Sequence, residues 1–221
     1  MFDVLKSIRE AVNPAAPMKF EWDDENEEDY YAREDARLYK RISPMSKRAV
    51  IALAAGCAEW IGWRLAGDTL DAQYLQYLEA AWAGIADWKY IDPHKDYDLG
   101  EDMGQVRGPL NASLHNLREV VRFTYEGEWG RTETVYLYYI ARHVLPDRKV
   151  FTAWFDTVVE RLNTHFPKPQ GDALGEPVPH QALDTSTEFQ PEQAGQQISE
   201  FLSGLSPSQN PFLKASVATG S

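Results

Sequence analysis

Cysteine is almost absent. Cys57, alone among 221 residues, cannot close an intrachain disulfide, so nothing in the chain asks for an oxidising compartment. Long apolar runs are missing as well: Ala49 to Ala58 stops at Glu59 and the helix then meets Arg64, well short of the roughly 20 residues a bilayer span requires. The opening MFDVLKSIREAV has no cationic segment ahead of an apolar one, so no signal peptide is expected and the protein is read as cytoplasmic. Positive charge is scarce, with 22 Lys and Arg against 34 Asp and Glu, a net −12 and a pI near 4.9. Nucleic acid and anionic membrane would repel such a chain, and neither is expected as a direct partner.

Catalytic signatures are missing too. There is no HExxH, no paired CxxC, no GxSxG, no phosphate-cradling GxxxxGK and no GxGxxG. A carboxylate-bridged di-iron bundle needs a Glu-x-x-His on each of two helices, and the chain has none. No cofactor or metal is therefore expected. Cys57 falls mid-stripe on an apolar helix face, where a thiol is inert packing.

What the chain does have is helical periodicity and aromatic bulk: seven Trp, eleven Tyr and nine Phe. Pro44 to Ala66 carries an apolar stripe through Val50, Leu53, Cys57, Ile61 and Leu65, which marks it as the central post of a helical bundle. Ser43 is the expected N-cap, with Pro44 at the first helical position. Small residues at Ala52, Ala55, Gly56 and Gly62 invite a second neighbour on the opposite side; only Glu59 is out of place there.

A short amphipathic helix is expected over 2–12, with Phe2, Leu5, Ile8 and Val12 on one side. A helix beginning within the acidic run is expected to continue through Tyr31, Leu38 and Tyr39 to Ile42. After a turn at Gly67, Asp68 is the expected cap of a helix whose stripe is Leu70, Tyr74, Leu78, Ala81, Ile85 and Trp88. A polar loop follows, and Pro109 is expected to open a third long helix. TETVYLYYIARHV reads as a buried helix, and Asp147 as the cap of a last core helix through Phe151, Phe155, Val158, Leu162 and Phe166.

The fold class is thus all-α: a bundle of about five to six helices arranged as stacked αα-hairpins, with a Pro/Gly/Ser-rich C-terminal tail. The expected divisions are an N-terminal amphipathic segment (1–20), the bundle (21–166), a linker (167–190), and a tail (191–221) holding a short amphipathic helix with Ile198, Phe201, Leu202 and Leu205 on one face.

Polar residues divide into three groups. Between Glu21 and Asp35 nine carboxylates face the single Arg33. Of this stretch, Asp23, Asp24, Glu25, Glu27, Glu28 and Asp29, with the aromatic anchors Trp22 and Tyr30, form the candidate partner-binding surface. The loop carboxylates Asp92, Asp96, Asp98, Glu101 and Asp102 join it, since their spacing does not fit a calcium loop. The third group is a buried polar network of Glu59, Glu79, His115, Arg118 and Arg122, whose members are expected to pair with one another, because an unpaired charge removed from water costs several kcal/mol.

The run GCAEWIGWRLAGDTLDAQYLQYLEAAWAGIADWKY, with its E-W-x-x-W-R segment, Gly-Asp turn and Y-L-E-A-A-W-A helix, resembles the all-α immunity proteins of bacterial polymorphic toxin systems, including those paired with type VI secretion effectors. The resemblance covers about Asp35 to Phe166. It implies a non-enzymatic protein, monomer or homodimer, that neutralises a cognate cytoplasmic-acting toxin. The acidic surface narrows that toxin to a basic protein, most simply a nuclease. Two other readings stay open: a helical enzyme using Glu59, Glu79, His115 and Arg118 in an inter-helix site, and a structural or phage-encoded adaptor.

Overall fold

A computed structural model describes residues 3–97, 104–171 and 173–214. The described residues form nine helices and no sheet: α1 (Lys6–Ala11), α2 (Glu28–Tyr31), α3 (Ala36–Ile42), α4 (Lys47–Ala66), α5 (Ala72–Ala86), α6 (Arg107–Tyr125), α7 (Arg131–Val144), α8 (Arg148–His165) and α9 (Ala194–Ser203). The all-α expectation holds.

The post is α4. Every residue from Ala49 to Leu65 is buried, because α5, α6 and α7 pack along it and α1, α8 and a 3-10 turn at His180–Leu183 take the rest of its surface. By length and composition α4 is the one described helix that passes for a membrane span, and 94% of that apolar window is covered by the protein itself. The small residues are where neighbours come closest: a Cβ on Gly56 would lie 2.5 Å from Leu183 and 2.9 Å from Trp154, and one on Gly62 would lie 2.8 Å from Tyr74.

Helix ends differ from the expected ones for identifiable reasons. Ser46, not Ser43, caps α4 by accepting from the Ala49 amide at 3.2 Å. Ser43 instead ends α3, and Met45 bridges to Pro167. Gly67, at φ +52°, stops α4; a 3-10 turn then delays α5, whose cap is Asp71. The acidic stretch makes two helices where one was expected. The chain breaks at Ala32, and the Asp35 carboxylate accepts from the Arg37 and Leu38 amides to start α3 afresh. Asp147 caps α8 as its spacing suggested.

The largest departure is in the C-terminal quarter, read as linker and tail. Val178, Ala182, Leu183, Phe212 and Leu213 are core residues. The Trp154 indole donates to the Leu183 carbonyl at 2.9 Å, and Arg161 donates to the carbonyls of Ala182, Asp184 and Thr187. The chain runs back over the bundle, and the described residues end beside the α5–α6 connection, where Ile91 bridges to Leu213. Helix α9 lies against α5 and the 3-10 turn at His180–Leu183 with no fully buried residue; its Phe201, and Leu205 just beyond it, are partly buried on the core.

Candidate interaction surface

Glu59 is fully buried. One oxygen accepts from the Trp82 indole at 3.0 Å and lies 2.8 Å from His180 Nε2; the other accepts from the Leu5 amide at 3.3 Å. The carboxylate therefore ties together the N-terminal segment, α4, α5 and the C-terminal segment. The rest of the expected polar network does not join it. Glu79 accepts from Asn210 at 2.8 Å, Arg118 pairs with Asp96 at 2.7 Å, and Arg122 pairs with Glu119 and Glu126. His115 is exposed. Spacing along α6 put His115, Arg118 and Arg122 on a flank that faces outward, so their partners are local. Cys57 is buried, and burial pushes its thiol far above the usual range, as inert packing requires.

The acidic stretch is a hook held against the bundle. Trp22 stacks on Tyr30 at 5.2 Å, and its indole donates to Asp24 at 2.9 Å. The other Asp24 oxygen accepts from the Gly104 amide at 2.7 Å, at the approach to α6. Gly108 makes the seating possible, since a Cβ there would fall 2.2 Å from the Trp22 ring nitrogen and 2.3 Å from Asp24. Glu27 accepts from the Tyr31 hydroxyl at 3.1 Å, and its burial raises it above the ordinary carboxylate range.

Four of the predicted partner-binding residues thus differ in role from the expectation. Trp22 and Asp24 face inward as the clamp, and Glu27 and Tyr30 are half-buried. Stacking removes more aromatic surface from water than projection would. Asp23, Glu25, Glu28 and Asp29 are exposed, as are Glu21 and Glu34. None of these six carboxylates has a cation within 4.0 Å among the described residues. In the loop, Asp92 accepts from the His94 amide at 3.2 Å and Asp96 is held by Arg118; Asp98, Glu101 and Asp102 lie outside the described residues.

Beside this ridge is a cleft of opposite charge that residue spacing did not reveal. Two adjoining depressions share Tyr30, His143 and Arg148. One adds Arg33, Tyr139 and Arg142; the other, about 530 Å³, adds Lys19, Glu21 and Arg64. Its cations come from four separate stretches of chain, so no local pattern announces them. Among the described residues no group of His, Cys, Asp and Glu has the placement to hold a metal ion. No protein-family model, curated protein or solved structure matches the chain.

Proposed function

We propose that the protein is a non-enzymatic immunity protein that binds and neutralises a cognate, cytoplasmic-acting basic toxin, most simply a nuclease, through the acidic ridge. The observation that carries this reading is six exposed carboxylates without a cationic partner among the described residues, on a segment fixed by the Trp22–Asp24–Gly104 clamp. Charge held on a fixed backbone steers a cationic partner and loses little ordering entropy on binding. The enzyme alternative required Glu59, Glu79, His115 and Arg118 to converge. The hydrogen bonds and ion pairs of Glu59, Glu79 and Arg118 go to three different sets of neighbours, with His115 out in solvent, which leaves that alternative without an assembled site.

The test is survival. Cells expressing the adjoining open reading frame should die without this protein and grow with it. A variant carrying Glu25→Gln, Glu28→Gln and Asp29→Asn should protect less, while folding normally. Growth unaffected by the adjoining frame, or full protection by the triple variant, would overturn the proposal.

A further inference from the structure

Six lysines and arginines of the described residues are matched by carboxylates. Lys6 pairs with Glu10, Arg9 with Asp3, Arg41 with Asp156, Lys89 with Asp87, Arg118 with Asp96, and Arg122 with two glutamates. The cleft beside the ridge gathers four that are not. Among the described residues, Lys19, Arg33, Arg142 and Arg148 have no carboxylate within 4.0 Å, although the chain holds 34 acidic residues against 22 basic ones.

Beneath them lies Arg64, fully buried. Its guanidinium donates to the carbonyls of Val144, Pro14, Ala16 and Pro17. Those bonds occupy four of its five N–H donors and bring no carboxylate to its charge. Glu21, exposed at the rim, is the one carboxylate in the lining.

The neighbouring carboxylates are committed elsewhere. Asp35 caps α3 and accepts from the Tyr139 hydroxyl at 2.8 Å; Asp147 caps α8. Arg148 sits in the first turn of that 18-residue helix, where the dipole disfavours a cation unless an anion stands nearby. The walls are fixed: Tyr30 packs 4.5 Å from the His143 ring, and His143 Nε2 contacts the Glu21 carbonyl at 2.6 Å.

We infer that this cleft is a binding site for a small soluble diphosphate, gripped by Arg33, Arg142 and Arg148 with Lys19 at the mouth. A monovalent carboxylate would leave most of the positive charge unmatched, whereas a diphosphate supplies several charges and enough oxygens for planar guanidinium forks. The site adjoins the acidic ridge, sharing Glu21, Tyr30 and Arg33 of the hook, but does not depend on the ridge's partner.

The experiment is calorimetric titration of the full chain with inorganic pyrophosphate at about 150 mM salt, where long-range attraction is largely screened. One saturable site is expected. Arg142→Gln with Arg148→Gln should weaken it by about tenfold for each arginine removed, and Lys40→Gln, on the exposed side of α3, should leave it unchanged. If the double variant fails to fold, Arg33→Gln and Arg148→Gln, both at exposed positions, carry the same comparison. ADP binding as tightly as pyrophosphate supports a nucleoside diphosphate as the source, and ADP rejection supports an inorganic one. Absence of saturable heat at millimolar pyrophosphate, sulfate binding equally well, or equal affinity in the arginine variants would overturn the inference while leaving the ridge proposal standing.

Discussion

Glu59 and the carboxylates of the ridge carry the same chemical group and do opposite work. Glu59 has no contact with water and three donors around it; Glu25, Glu28 and Asp29 are exposed and have no cationic partner among the described residues. A carboxylate taken out of water must be compensated, so Glu59 fixes whichever segments supply its donors. A carboxylate left in water fixes nothing inside the protein and remains available to something outside it. The difference separates the residues that make this fold from those open to a partner.

The most disruptive way to test that division is at the core. Glu59→Ala would strand the Leu5 amide, the Trp82 indole and His180 around a cavity, and a loss of about 3–5 kcal/mol is expected from chemical denaturation. Glu59→Gln keeps the volume and one acceptor oxygen but turns a donor toward former donors, so a loss of about 1–3 kcal/mol is expected. A cost below about 1 kcal/mol for the alanine variant would mean the four segments are held by apolar packing alone.

Next comes the clamp. Gly108→Ala gains roughly 1 kcal/mol of helix propensity but sets a methyl against the Trp22 indole and Asp24 at distances no side chain tolerates. The clash should win, releasing the hook at a net cost of about 1–2 kcal/mol and making residues 21–35 sensitive to protease. Partner binding should weaken although no charge has changed. Unaltered proteolysis would show that the hook needs no such seat.

Neutralising Glu25, Glu28 and Asp29 together should shift stability by no more than about 0.5 kcal/mol, since exposed charges without partners contribute little. The expected loss is in the association rate with the proposed basic partner, and it should shrink as salt rises. Equal losses at low and high salt would argue against steering.

The bundle was legible from the sequence because α4, α5, α6 and α8 each write an apolar stripe at helical spacing, and Asp147 stands where a cap belongs. The C-terminal quarter was not. Pro, Gly, Gln and Ser suggested a tail, yet Val178 is buried, Leu183 fills the space left by Gly56 and Phe212 packs on Tyr77 of α5, and composition carries no trace of such long-range pairings. The same limit applies to Glu59. Its misplacement on the small-residue face was visible, but His180, 121 positions away, was not identifiable as its neighbour. The ridge charges were plain in the sequence; that Trp22 is consumed by the clamp follows only from Gly108.

A further expected effect concerns pH at the hinge between hook and bundle. The Leu38 amide, the Tyr139 hydroxyl and the Arg37 amide hold the Asp35 carboxyl below the ordinary carboxylate range. A group depressed in the folded state adds stability above its unfolded pKa of about 3.9, and that contribution is lost as pH falls through the lower folded value. Glu27 has the opposite sign: burial raises it, so folding is favoured as pH falls from the raised value toward the ordinary one. Asp35→Ala should therefore cost about 1 kcal/mol at neutral pH, the usual worth of an N-cap, and progressively less below pH about 3.9 as the wild-type carboxylate is itself protonated. Asp35→Asn, which keeps an acceptor for both amides, should lose less at neutral pH and show a flatter acid profile. If Asp35→Ala cost the same at pH 3 as at pH 7, the carboxylate's charge would have no part in starting α3, and the break that shapes the hook would have to come from the Ala32 turn alone.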